Sequence, residues 1–291
     1  MSISSPPSLV EAELAELRPF LQKELEAGTL DLPLLPVVAH QVLLVSGDPN
    51  ADSSKLSTLI QQDQALAAQI LRIANSPAYA PRSPIVSLQQ AIAWLGFNML
   101  AGLAFSVSVQ SGVFKISGHQ QEIQGLWRQA LATGLYGKEI ARRIRHNVEN
   151  AFLCGILHLI GKPGALHLLS RAPSPTGSSH SWTALEILLD EFHIPVGTVL
   201  GKTWKLPESV QETIQFYQDD QYHHAISPAK GTVITCLAHH LASLSLQTSP
   251  MNEDAIRHLP VVRELNFYPE DMTALLELQE SIRKNVECFV I

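Results

Sequence analysis

The stretch Asp63-Gln64-Ala65-Leu66-Ala67-Ala68-Gln69-Ile70-Leu71-Arg72-Ile73-Ala74-Asn75-Ser76 decides the fold class. Ala67, Ile70, Leu71 and Ala74 fall at i, i+3, i+4 and i+7, one apolar stripe of an amphipathic helix. Asp63 supplies an N-cap, because its carboxylate can accept from the free N–H groups of the first turn. Asn75-Ser76-Pro77 supplies a stop, since the residue before proline is pushed out of helical geometry.

The same period recurs on both sides. Upstream, Leu9 to Leu25 suits a helix ending near Gly28, Val37–Ser46 a second, and Asp52 caps a third through Leu56, Leu59 and Ile60. Gly47-Asp48-Pro49-Asn50 reads as a turn. Downstream, Ser87 and Gln90 have capping-box spacing, Gly96 interrupts, and Asn98 to Gln110 is apolar on nearly every face. Val107-Ser108-Val109 is the only short strand-like run. A long helix is expected from about 121 to 146, another from Asn150 to Ile160 stopping at Gly161, and later ones over 229–246 and 270–287. Pro195, Pro207 and Pro228 are each expected at a helix start. The prediction is an all-α protein of thirteen or more helices in two lobes. Its parts are an N-terminal extension helix over 1–30, an N-terminal helical bundle over 31–115, a second lobe over 118–245, and a C-terminal helical extension over 246–291. The glycine-bearing break at Ser111–Gly118 separates the lobes.

Composition narrows the function classes. The chain has 291 residues, 46% hydrophobic and 16% charged, too apolar for a disordered protein. No uninterrupted apolar run approaches the ~18 residues of a membrane span. Met1–Pro7 lacks the positive charge and apolar core of a secretory signal. The net charge of −7 argues against nucleic acid as a partner. Cys154, Cys236 and Cys288 form no CxxC pair, so neither a zinc ribbon nor a disulfide framework is expected. A cytoplasmic setting follows as the simplest reading.

Several blocks together resemble the HDOD family, the HD-related output domain of bacterial signalling proteins. They are Leu32-Pro33-Leu34-Leu35-Pro36, Gln62 to Ser76, Val86 to Gly96, Leu126-Trp127, Gly155-Ile156-Leu157-His158-Leu159-Ile160-Gly161-Lys162, and His193 to Pro207 with Gly197, Trp204, Leu206 and Pro207. The resemblance spans about 30–245 and implies a helical fold related to the HD phosphohydrolases. Catalytic members of that superfamily hold metal ions with a His, a His-Asp pair and a later Asp. The metals acidify a bound water and polarise phosphoryl oxygens, and carboxylates suit such hard cations.

At those positions this chain carries Gln129, His158-Leu159 and His239. His193 matches a second histidine of the related cyclic-dinucleotide phosphodiesterases, but no Gly-Tyr-Pro follows; after His223-His224 the chain reads Ala225-Ile226-Ser227-Pro228. One of four ligands survives. The resemblance thus implies a degenerate HD lobe, a pseudo-phosphohydrolase with no catalytic residues, no metal and no cofactor. The leading expectation is a regulatory module in signal transduction that acts through protein partners. Two alternatives stand beside it: a nucleotide or small-ligand sensor using the remnant pocket, and a residual metal-dependent phosphohydrolase. His158, His193 and His239 could as a trio take zinc; the preferred reading is core histidines hydrogen-bonded inside the bundle. Asn75, Ser76 and Tyr79 form a candidate interaction loop or simply a helix stop. Lys138, Arg142, Arg143, Arg145 and His146 crowd a helix C-terminus, whose dipole they complement. Trp94, Trp127, Trp182 and Trp204 are expected to pack in the core or in a cleft.

Overall fold

The computed structural model describes residues 9–27, 30, 31, 35–46, 52–76, 79, 81–112, 118–173, 180–219 and 230–289. Among them are sixteen helices and no strand. The first lobe is built on α2 (Val37–Ser46), α3 (Ser53–Gln61), α4 (Gln64–Ala74), α5 (Leu88–Leu95) and α6 (Phe97–Gly112). Its helix starts are the ones the side chains dictate. Asp52 accepts from the Lys55 N–H, Asp63 from Ala65 and Leu66, and Ser87 from Gln90. Gln90 returns a bond by accepting from the Val86 N–H, one residue ahead of the cap. α2, α4 and α5 pack on α6, which buries Met99 to Phe105 and continues as helix through Val107 and Val109.

In α4 the buried stripe is Leu66, Ile70, Ile73 and Ala74; Ala67 and Leu71 lie at its edge, half-buried. Period alone admits both settings, which share Ile70 and Ala74. The three neighbours α3, α5 and α6 decide between them.

The second lobe holds α7 (Gln120–Arg143), α8 (Val148–Leu157), α9 (Gly161–Leu169), α10 (Trp182–Thr203), α11 (Glu208–Phe216) and α12 (Lys230–Ser245). α7 packs along α8 and α12, α9 along α10, and α8 touches α6 of the first lobe. Two glycines set how close these helices come. A Cβ on Gly155 would lie 2.6 Å from the Gly134 Cα, and one on Gly161 would lie 1.8 Å from the His193 carbonyl oxygen. Only hydrogen fits at either crossing, so α8 and α9 are drawn hard against α7 and α10.

Gly161 therefore opens α9, where the sequence predicts only a stop; His158, Leu159 and Ile160 form the turn between the two helices. Pro195 is likewise not a helix start. It sits inside α10, which runs unbroken to Thr203 because its apolar face is buried throughout. Pro207 is the N-cap of α11, and Pro228 lies outside the described residues.

The 270–287 segment is two helices, α15 (Pro269–Leu276) and α16 (Gln279–Phe289), after the short α13 (Glu253–Arg257) and α14 (Pro260–Glu264). α15 and α16 pack on α7, and α14 on α12. The opening helix α1 (Leu9–Ala27) packs on α9 and α10 of the second lobe. Val148–Leu169, which is α8 and α9 together, is long and apolar enough to cross a membrane by composition. Inside this fold 83% of its apolar window is buried, as a core pair would be.

Candidate functional site

Four helices of the second lobe aim polar side chains at one point. Gln129 comes from the middle of α7, His158 from the C-cap of α8, His193 from α10, and His239 with Ser243 from α12. Sequence reading places four of these in one remnant centre. Sequence reading misses the other two side chains there, Ser243 and Tyr217, the C-cap of α11. The Tyr217 ring stands edge-on to all three imidazoles, at centroid distances of 4.7 Å from His158, 5.4 Å from His239 and 6.0 Å from His193.

The protons can be placed from the distances. His158 Nδ1 lies 2.6 Å from the Gly155 carbonyl, so it carries hydrogen and donates. Its Nε2 then accepts from His239 Nδ1, 3.0 Å away. Because that Nδ1 bears hydrogen, the Gln129 amide nitrogen at 3.4 Å cannot donate to it. The amide donates instead to the His239 carbonyl at 3.2 Å and to Ser243 Oγ at 2.8 Å. Separately, His193 Nδ1 donates to the carbonyls of Leu189 and Asp190, and its Nε2 accepts from the Tyr217 hydroxyl at 2.9 Å. That hydroxyl accepts in turn from Gln218.

Burial fixes the charge state. It pushes the His158 imidazole down to about 3 and His193 down to about 4, and drives His239 well below the usual histidine range. Lys162, ion-paired with Asp190 at 2.5 Å, presses all three the same way. Burial also raises the Tyr217 phenol far above its ordinary value. At neutral pH the cluster is an uncharged hydrogen-bonded network.

Leu159 points elsewhere. It is buried and lines a small apolar pocket with Leu126, Trp127, Ala130, Ile156, Ile160 and Pro163. Trp127 Nε1 and Gln129 Oε1 are buried with no hydrogen-bond partner among the described residues.

The donor set does not fit the two-metal centre that the HD pattern implies. Its four positions offer two imidazoles, an amide and an aliphatic chain, and the two imidazoles are bonded to each other. Among the described residues no group of three or more His, Cys, Asp or Glu side chains is placed to hold a metal ion.

The remaining candidates lie apart from this cluster. Asn75 ties the 75–85 loop shut: its amide donates to the carbonyls of Leu71 and Ile85 and its oxygen accepts from the Ile85 N–H, all at 2.8 Å. Ser76 is buried, and the Tyr79 ring lies under the Lys138 ammonium at 5.1 Å. Trp94 donates to the Tyr79 carbonyl but is half-exposed, unlike the buried Trp127 and Trp204. In the basic cluster Arg142 pairs with Glu139 and Arg143 with Asp271. His223 and His224 lie outside the described residues.

Fold and site together define an all-helical protein with an uncharged histidine cluster in its second lobe. The family model of the HDOD domain matches residues 32–220, and the chain belongs to that family. A protein of Treponema pallidum (strain Nichols), itself uncharacterized, is 26% identical over 199 residues, 65% of this chain. The match spans only 38% of that relative's length. Among solved structures, a Shewanella amazonensis SB2B protein provisionally named a metal-dependent phosphohydrolase superposes with a TM-score of 0.73 at 22% identity, covering 94% of this chain and 99% of its own. A Marinobacter aquaeolei VT8 protein provisionally assigned to signal transduction superposes at 0.66 with 21% identity, covering 95% and 66%. At such identities the two structures speak for the fold alone.

Proposed function

We propose that this chain is a non-catalytic regulatory module of bacterial signal transduction that works through protein partners in the cytoplasm, without binding nucleic acid or membrane. The observation that carries the reading is the uncharged, hydrogen-bonded state of the remnant centre. A hydrolytic HD site needs carboxylates around hard cations and an open water position. Here Leu159 serves an apolar wall, His158 is bonded on both ring nitrogens, and the Tyr217 ring stands edge-on to all three imidazoles. Membership of the HDOD family is consistent with the same reading.

The test is hydrolysis of phosphomonoesters and cyclic dinucleotides with added Mg²⁺ or Mn²⁺. No turnover above background is expected. Turnover that scales with protein and disappears in His158→Ala would replace this reading with a metal-dependent hydrolase.

A second reading, nucleotide or small-ligand sensing at the remnant centre, draws on the unpartnered Gln129 Oε1 there. A thermal-shift screen that includes nucleosides and nucleotides addresses it, since a ligand of the native state raises its melting temperature.

A further inference from the structure

The helix α1 is held on the second lobe by two kinds of contact. Leu17 and Leu21, one turn apart, are fully buried, and Leu14, Phe20 and Leu25 flank them. Around this stripe is a polar clamp. Glu13 accepts from the Ser181 N–H at 3.0 Å and from the Ser181 hydroxyl, at the N-cap of α10. Arg18 Nε reaches both oxygens of Glu191, at 3.0 and 2.8 Å. On α10 the residues Ala184 and Leu188 share the face between Ser181 and Glu191, and both are fully buried. The surface under α1 therefore offers a helix start that donates to Glu13 at one end and the Glu191 carboxylate further along, with buried apolar residues on the α10 face between them.

The occupant is a poor helix by itself. Pro19 lies inside α1 on its exposed side, with no N–H to give and a ring that crowds the preceding turn. A 19-residue helix with a proline near its middle depends on its docking surface for much of its stability. Its rim charges are partly solvated, so they select register and partner more than they add stability.

We propose that α1 is a displaceable strap, and that the α9/α10 surface beneath it docks an amphipathic helix of a partner protein. The partner helix would repeat the α1 order: a carboxylate, an apolar residue four positions on, a cation next to it, and a second apolar residue one turn later. The proposal rests on the protein-contact reading above and names its surface.

The test uses the full chain and a labelled peptide of residues 9–27. Apparent affinity for a peptide in trans is the intrinsic affinity scaled by the fraction of protein in which that surface is uncovered. Leu21→Ala in the protein loosens its own strap, so the unaltered peptide should bind it about tenfold more tightly or better than it binds wild type. A peptide carrying Leu17→Asp should not bind. Amide exchange in α1 should accelerate while α7, α8 and α12 stay protected. Arg18→Glu, at the solvated rim, offers the same measurement if Leu21→Ala does not fold. Absence of peptide binding to both variants, or α1 amides that exchange only together with α7, α8 and α12, overturns the strap. Turnover in the hydrolysis assay would sink the regulatory reading separately, and would leave the peptide result standing.

Discussion

The HDOD resemblance sets Leu159 where catalytic relatives carry a metal-binding carboxylate, and its side chain is packed among Leu126, Trp127, Ile160 and Pro163. Restoring the pair with Leu159→Asp should not restore a cation site. The new carboxyl would face apolar walls, where burial raises its pKa and the uncharged form prevails. Loss of leucine packing plus a buried polar group should cost on the order of 3 kcal/mol or more. Calorimetric titration with Mg²⁺ and Mn²⁺, beside a melting curve, checks both parts. Micromolar binding at wild-type stability would mean that the ligand geometry is still in place. The substitutions at Gln129, Leu159 and His239 are legible in the sequence, because each stands at a position with a defined chemical requirement. Tyr217 is not. Nothing in the run Phe216-Tyr217-Gln218 tells which way a phenol at a helix C-cap turns, and that choice belongs to α10 and α12 across the core.

At the scale of elements, local chemistry predicts starts better than ends. Asp52, Asp63 and Ser87 cap as expected because a cap is settled within four residues. Pro195 and Gly161 read as boundaries, yet one lies within a helix and the other opens one. There tertiary packing outweighs propensity: α9 and α10 meet backbone to backbone at Gly161 and His193, and both helices are held along their length. The setting of α4 is a similar case, and it separates two substitutions. Ile70→Ala should cost about 2–5 kcal/mol, the range for a fully buried aliphatic side chain. Leu71→Ala, at the half-buried edge, should cost clearly less. Urea unfolding of both variants decides it, and a larger loss at Leu71 would place the stripe where the bare periodicity puts it.

For the molecule as a whole, the neutral histidine core couples stability to pH. His158 and His193 have folded-state values near 3 and 4, below the ordinary histidine value of about 6.5. Between those limits the unfolded chain binds more protons than the folded one, so stability is complete above about pH 6.5 and falls as the pH drops toward 4 and 3. From pH 7 to pH 5 each of the two should contribute a loss of about 2 kcal/mol. Urea midpoints at pH 7, 6 and 5 should show that slope, and His193→Gln should flatten it. A stability profile unchanged over this range would mean that the imidazoles are not held neutral.

The central claim is that the side chains the resemblance sets at the metal positions form an uncharged hydrogen-bonded cluster instead. The most direct measurement is the divalent-metal content of the purified protein, followed by calorimetric titration with Mg²⁺, Mn²⁺ and Zn²⁺. The account predicts substoichiometric metal and no saturable binding at micromolar concentration. One or two equivalents per chain, lost in His158→Ala, would contradict it.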